Sequence, residues 1–332
     1  MSSGRLRMRM IRNSFFCVWC LITFSCGCEF SVPSTDRNRL TIATWNAQLL
    51  FDGVDNGCEF SEYSVRENRW SEEKYETRLD RLCEGLLLCG STAGMGPDAA
   101  PDIIVLQEIE NEYIVHDICN RLPQRNGHRY AAFVPPAAGN AFSSAVLSRY
   151  PVLAVTAHST DCGDIAVRPL LEVTLDVQGL PITIFAVHWK SKSGPDEGRS
   201  ARRKQERLLA ERMRLLLDEN PLALCFACGD YNQMPQEFSI LDQYRNSWKL
   251  PEPLRTLPVN GTYWYDDDWE AIDHFFFPGH LLDGVFPDVE RIVLVAREPL
   301  LNERGIPARY EVYSGKGYSD HLPLVLTLRF AE

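Results

Sequence analysis

An α/β fold built on a mixed sheet is predicted by three features of this sequence. Short apolar runs of strand character recur along it, helical patterns lie between them, and 45% apolar with 24% charged residues over 332 positions suffices to bury a large core. The runs are Leu40 to Ala47, Asp102 to Gln107, Ser144 to Ser148, Pro181 to Val187, Leu222 to Cys228, Ala271 to Phe277 and Leu322 to Leu328. Between them, Tyr75 to Leu88 sets Leu79, Leu82, Leu86 and Leu87 on one side of a helix, and Ile114 to Leu122 repeats apolar residues at helical spacing. Arg199 to Leu217 is the longest helical pattern, with a stripe of Leu208, Leu209, Leu215 and Leu216. Its first half carries Arg199, Arg202, Arg203, Lys204 and Arg207, which read as a solvated face or as a substrate contact. Asp52 to Lys74, charged and aromatic, reads as a long loop of the kind that shapes a cleft or merely decorates the surface.

Residues 1–25 differ from the rest. Arg5, Arg7, Arg9 and Arg12 precede an apolar run, Ser14 to Ser25, of about a dozen residues, which is the pattern of an export signal. The run is shorter than the roughly 20 residues of a membrane span, and no later segment qualifies, so the body is expected to be soluble. Thr23-Phe24-Ser25-Cys26 resembles a loose bacterial lipobox, with a small residue before the cysteine but no leucine three positions earlier. Cys26 is therefore a lipidation candidate, and cleavage near Cys26 to Cys28 with release is the rival reading. The expected location is exported, periplasmic or at the cell surface, with any membrane contact made through a lipid anchor. Residues 26–39, with Pro33, read as a tether, and 40–330 as the ordered domain.

Loss of the four N-terminal arginines from 34 basic residues leaves 30 against 45 acids, a net charge of −15. Such an acidic surface argues against gripping nucleic acid mainly by counterion release, but leaves room for a nuclease with a local metal site. The cysteines that follow the signal sit where disulfides can persist, and their pairing is not readable.

Polar residues recur where the apolar runs end, which is where open sheets place active sites. Asn46 closes the first run and orients a phosphate or a metal-bound water, or else is a turn asparagine. Glu108 follows a run apolar enough to be buried on both faces, so its carboxylate must be paired, protonated or bound to metal. His188, Lys190 and Lys192 put an imidazole and two ammonium groups at one strand end, a set that suits phosphate or, blandly, a structural histidine and a surface loop. Gly229-Asp230-Tyr231-Asn232 combines a tight backbone turn with a carboxylate and an amide, groups favoured by hard cations and phosphoryl oxygens. Cys225 and Cys228 face opposite sides of a strand and read as buried thiols. Asp320 and His321 can bind metal and act as base, with Asp273 the candidate carboxylate behind His321.

Taken in order, Thr44-Trp-Asn46, Leu106-Gln-Glu108, Ala145-Val-Leu-Ser-Arg-Tyr-Pro151, His188-Trp-Lys-Ser-Lys192, Gly229-Asp-Tyr-Asn232, Ile272-Asp273 and Ser319-Asp-His321 resemble the endonuclease/exonuclease/phosphatase superfamily over nearly all of residues 40 to 330. The resemblance implies a DNase I-like four-layered α/β sandwich, two packed mixed sheets flanked by helices, with its site at one edge. It also implies Mg²⁺, or Mn²⁺ or Ca²⁺, held mainly by Glu108 with Asn46 and Asp320 nearby. Asp230 and Asn232 would position the attacking water and the phosphate, and Lys190 and Lys192 would hold phosphate charge. His321, backed by Asp273, would be the base or a phosphate-polarising group, and His188 the general acid or a stabiliser of the pentacovalent phosphate.

Abasic-site endonucleases of this superfamily usually carry a tyrosine where His188 would act, so the branches indicated are DNase I-like, sphingomyelinase-like and phosphoinositide phosphatase. One departure stands out: the glutamate that pairs with the equivalent histidine in DNase I-like members has no counterpart, because Arg129 to Arg149 holds no carboxylate. The His-x-Lys-Ser-Lys form looks most like secreted bacterial nucleases, implying hydrolysis of DNA or RNA by metal-activated water. A sphingomyelinase-like enzyme acting on phospholipid, or a phosphatase acting on phosphoinositides, inositol phosphates or other phosphomonoesters, is the alternative. Against a membrane-entering hairpin, Trp264 and Trp269 flank Asp266-Asp267-Asp268, too acidic for an anionic surface. A non-catalytic surface interaction lipoprotein is the alternative of a different class.

Overall fold

A computed structural model describes residues 38–136, 140–257 and 259–331. The export segment 1–25, Cys26 and the tether as far as residue 37 lie outside the described residues. In chain order the elements are β1 (Arg39–Leu50), α1 (Glu72–Thr92), β2 (Ile103–Ile109), α2 (Glu112–Arg121), β3 (Tyr130–Phe133), β4 (Ser143–Ser148), β5 (Val152–His158), β6 (Leu170–Val177), β7 (Leu180–His188), α3 (Arg199–Glu219), β8 (Leu224–Asp230), β9 (Arg245–Asn246), β10 (Tyr263–Tyr265), β11 (Asp268–Glu270), β12 (Asp273–Phe277), β13 (Asp288–Leu294) and β14 (Leu324–Arg329).

Two six-stranded mixed sheets form the body, in the orders β13-β14-β1-β2-β4-β3 and β5-β6-β7-β8-β12-β9. Each carries one parallel pair at its middle, β1 with β2 and β7 with β8, and is otherwise antiparallel. A parallel pair needs a long crossover, and α1 and α3 supply the two required here. All seven apolar runs are strands. The strands that sequence pattern did not reveal include β5, β6 and β13, whose charges or exposed positions break the apolar run: β6 carries Glu172 and Asp176, and β5 is exposed along most of its length.

Strand alternation explains the layers. On β7, Ile182, Ile184 and Ala186 join the main core between the sheets, while Phe185 and Val187 join a second core under α3 with Leu209, Ala210 and Met213. Phe226 and Cys228 of β8 belong to the first core, Cys225 and Ala227 to the second, so the two thiols do lie on opposite faces. On the outer side of the other sheet, Leu79, Leu82 and Leu86 of α1 and Ile114, Val115 and Ile118 of α2 complete the main core. The order is helices, sheet, sheet, helix, the four-layered sandwich that the resemblance implies. Gly85 on α1 is part of this packing, because a Cβ there would sit 2.5 Å from the Trp45 ring.

Helix α3 departs from the expected stripe. Its buried residues are Ala201, Arg202, Gln205, Glu206, Leu209, Ala210 and Met213, whereas Leu208 and Leu216 are only partly covered. Two charges are buried with hydrogen-bond partners: Arg202 Nη1 donates to the carbonyls of Lys190 and Glu197, and Glu206 accepts from the backbone of Ser239, Ile240 and Leu241. The basic cluster is thus only partly a solvated face.

Candidate active site

Alternation also carries polar groups into the inter-sheet layer at one end of the molecule. The inward positions that hold apolar core further down each strand become Asn46 on β1, Gln107 on β2, His188 on β7, Asp230 on β8 and Asp273 on β12. Register makes them neighbours: Asn46 lies beside Gln107, His188 beside Asp230, and Asp230 beside Asp273. Gly229 permits this crowding within the sheet rather than ending the strand, since a Cβ at its φ of +140° would meet the Val187 carbonyl oxygen at 2.0 Å. The expected tight turn at Gly229 therefore shifts to Asn232, at φ +50°.

Neither Asn46 nor Glu108 ends its strand. Both sit at a shift of register between β1 and β2, where Gln48, Leu49 and Glu108 have φ of +52°, +54° and +63°. Strict alternation after Gln107 would send Glu108 toward the helical layer, and the bulge turns it into the cleft instead. Left-handed backbone at such residues costs about 1–3 kcal/mol each and persists only where surrounding groups hold it. They do: Arg78 of α1 donates to the carbonyls of Ala47 and Gln48 and lies 3.9 Å over the Tyr310 ring. Leu49 N–H donates to Glu108 Oε2 at 2.6 Å, and the Gln48 amide bonds the backbone of Tyr310 and of Asp320.

The functional atoms converge on Asp230. Its Oδ2 accepts from Asn46 Nδ2 at 3.1 Å and lies 3.7 Å from His188 Nε2 and 4.0 Å from His321 Nε2, while its Oδ1 accepts from Asn232 N–H at 2.8 Å. Glu108 Oε1 lies 3.3 Å from Asn46 Nδ2 and 3.6 Å from His188 Nε2. His321 Nδ1 donates to Asp273 Oδ2 at 2.8 Å, and the same oxygen accepts from Thr262 Oγ1 at 2.6 Å. The carboxylate sought behind His321 is thus in place, and its tautomer follows from that bond. Asp320 is partly exposed at the rim, 4.0 Å from Arg309. Asn46 presents its amide nitrogen to Glu108 and Asp230 and its oxygen to Gln48 N–H at 2.9 Å, an arrangement that positions two carboxylates.

Electrostatics separates the two histidines. Burial, reinforced by the positive neighbours Arg168 and His321, holds the His188 imidazole neutral despite the carboxylates nearby. His188 Nδ1 is buried with no hydrogen-bond partner among the described residues, in keeping with the missing upstream carboxylate. Burial also works against a charged His321, but Asp273, Asp230 and Asp320 outweigh it and lift its pKa to about 10. Burial raises the Asp230 carboxyl to about 7, with His321 opposing and Asp273 adding to the rise. Asp320 is raised as well, by burial first and then by repulsion from Glu108 against the pull of His321.

Three residues without a motif belong to this site. Arg168, just before β6, is set opposite Trp189 by the antiparallel register with β7, and its Nη1 donates to the Trp189 carbonyl at 3.4 Å. Burial lowers its pKa while Glu108 and Asp230 favour its charge. The signal available was the Arg168-Pro169 step ahead of a strand that charged residues concealed. Thr262 and Tyr263 reach the site through the β10–β11 hairpin. Lys190 and Lys192 stand apart from the carboxylates: Lys190 Nζ bonds Ser191 and Ser193, and Lys192 is paired with Glu270 at 2.7 Å. The motif through Arg149 is structural, since Arg149 pairs with buried Asp102 at the opposite end of β2 from Glu108.

Among the described residues no three His, Cys, Asp or Glu side chains close into a ready metal cage. The donor set nonetheless fits a hard divalent cation that keeps much of its water: Glu108 and Asp320 are partly exposed oxygen donors that repel one another, and one or two carboxylates are what such an ion takes from a protein.

The profile of the Endonuclease/Exonuclease/phosphatase family matches residues 41–330. No curated protein sequence matches the chain. Among solved structures, the fold is similar to truncated TDP2 from Caenorhabditis elegans, at 16% identity and a TM-score of 0.56, covering 88% of this chain and 98% of that one. It is similar to a beta toxin from Staphylococcus aureus, at 15% identity and a TM-score of 0.57, covering 86% and 99%. TDP2 from D. rerio complexed with single strand DNA product matches at 14% identity and a TM-score of 0.54, covering 88% and 99%. With the two six-stranded mixed sheets and the family profile spanning nearly the whole described chain, this protein belongs to the endonuclease/exonuclease/phosphatase family.

Proposed function

We propose that the protein is an exported, divalent-metal-dependent phosphodiesterase that hydrolyses nucleic acid, DNA or RNA. The observation that carries this reading is the convergence of Asn46, Asn232, His188 and His321 on the single buried carboxylate of Asp230, with Glu108 and Asp320 at its open side. Glu108 and Asp320 would hold Mg²⁺, or Mn²⁺ or Ca²⁺, which supplies Lewis-acid polarisation of a phosphoryl oxygen.

The chain's own groups take the remaining roles. Asp230, with a pKa near neutrality, accepts the proton of the attacking water, and the Asn232 N–H fixes its other oxygen. Asp273 favours the imidazolium of His321, so of its two candidate roles His321 takes the phosphate-polarising one, through Nε2–H. His188, held neutral, stabilises the five-coordinate phosphate by hydrogen bonding rather than giving up a proton from a charged ring, and the ester oxygen released as the P–O bond breaks takes its proton from solvent water at the open side of the site. Arg168 brings a fixed positive charge beside these groups for the phosphate oxygens. Arg168→Ala is expected to lower kcat/KM by about 10²-fold, the scale of one lost transition-state donor, with Arg168→Lys failing to restore it. Steady-state kinetics within threefold of wild type for Arg168→Ala would remove it from the site.

Nucleic acid is favoured by the His188-Trp-Lys-Ser-Lys192 motif and by the single strand DNA product carried by one structural neighbour. Parallel assays of plasmid DNA, RNA, sphingomyelin and inositol phosphates test the choice. Cleavage of DNA or RNA is expected, and phosphate release from inositol phosphates with DNA and RNA left intact would reject it. The N-terminal pattern and Cys26 support a periplasmic or cell-surface location with a lipid anchor. Cell fractionation checks this, and a full-length cytosolic chain would refute it.

A further inference from the structure

Strands β10 and β11 form a hairpin closed by Asp266 and Asp267, whose φ of +49° and +61° are those of a two-residue type I′ turn. Trp264 and Trp269 are cross-strand partners with rings 5.3 Å apart at 79°, and Trp269 packs on the main core. The alternate residues Tyr263 and Tyr265 therefore share the other face. The Tyr263 ring lies 4.7 Å from the His321 ring at 34°, and the Tyr265 ring lies 6.2 Å from Tyr263 at only 11°. Three rings thus run outward from the reacting centre, the last of them 62% exposed.

The row is held firmly. Thr262, one residue before it, bonds Asp273, and its carbonyl accepts from Leu322 N–H at 2.8 Å. Tyr263 bridges directly to His321 in the backbone. Core packing accounts for Trp269, and Trp264 packs on that ring, but neither accounts for Tyr265, which leaves most of its ring in water beside the proposed phosphoester site. Arg309, 4.0 Å from Asp320 and acting electrostatically on Tyr263, adds positive charge along the same wall. Beyond Tyr265 the tip turns acidic, with Asp266, Asp267 and Asp268 all exposed, so a backbone phosphate is repelled past that point and the row serves a single residue of the substrate.

We propose that Tyr263 and Tyr265 form a stacking subsite for one unpaired nucleobase next to the phosphate being cleaved, so that single strands or frayed ends are cut in preference to intact duplex. The proposal rests on the nuclease reading and deepens it. Every base offers a flat π face to such a ring, whereas bases in a duplex have theirs covered by their neighbours. A quaternary ammonium headgroup is gripped by rings facing it from several directions. Two near-parallel rings offer a plane instead.

The test compares oligothymidylate with an all-abasic oligonucleotide of equal length, using wild type, Tyr265→Ala and Tyr265→Phe. For wild type and Tyr265→Phe, KM on the abasic chain is expected to be about tenfold higher than on oligothymidylate, within the range of one base–aromatic stack. For Tyr265→Ala that ratio is expected to fall to about one or two, with kcat changing less than KM. Cleavage of both chains with a ratio that Tyr265→Ala leaves unchanged would overturn the stacking subsite while leaving the phosphodiesterase reading intact. Equal kcat/KM on duplex and single strand would overturn the strand preference. Hydrolysis of sphingomyelin vesicles that drops in Tyr265→Ala, with neither oligonucleotide cut, would overturn the subsite and the nuclease reading together.

Discussion

Replacement of Glu108 by alanine is expected to lower phosphodiesterase kcat by about 10³-fold or more, with the fold retained. The magnitude follows from the role. Charge stabilisation by a bound divalent cation contributes several kcal/mol in the transition state, and each 1.4 kcal/mol is about tenfold in rate. Glu108 is also turned into the cleft by its bulge, bonded to Leu49 N–H and near Asn46 and His188, so its loss removes one of the two carboxylates that would hold the ion. Wild type is expected to gain Tm on adding Mg²⁺, and the same variant to lose that gain, since an ion bound only by the folded state stabilises it by mass action. Differential scanning calorimetry and initial rates together check this. Unaltered activity would remove Glu108 from the centre of the site.

His321→Ala is expected to cost about 10²–10³-fold in kcat, the range for one lost donor to the charge that develops on the phosphate. Asp273→Asn should fall in the same range, because His321 depends on Asp273 for its orientation and its charge. Removing that carboxylate takes away the largest influence opposing burial while Asp230 and Asp320 remain, so the His321 pKa should drop below about 10. NMR titration of the imidazole reads this directly. The two losses should be far from additive when combined, as expected of groups acting as one unit. An Asp273→Asn enzyme with normal kcat would show that the pair is only structural.

The strands legible in the sequence were those buried on both faces, where packing demands an unbroken apolar run. Strand β5, exposed along one edge, carries the mixed pattern that such a position tolerates, and β6, though largely buried, is broken by Glu172, which pairs with Arg212 and His158, and by Asp176, so neither stood out. The site was legible where a strand's inward alternation ends in a polar group, as at His188 and Asp230. The aim of Glu108 was not, since it depends on a left-handed residue stabilised by Arg78, a helix away. Arg168 and Tyr263 were hidden for a related reason: each reaches the site by antiparallel register with another segment, information no local motif contains. The missing partner of His188 was visible in advance as the acid-free stretch Arg129 to Arg149, and burial with Arg168 nearby explains how the ring stays neutral without one.

The most direct test of the central claim is the initial rate of single-stranded DNA cleavage by the purified protein, measured as Mg²⁺ is titrated after treatment with chelator. No cleavage is expected without the ion, saturable recovery with it, and no recovery in Glu108→Ala at the same concentrations. Cleavage that persists in chelator, or that Glu108→Ala performs as well as wild type, would contradict that claim.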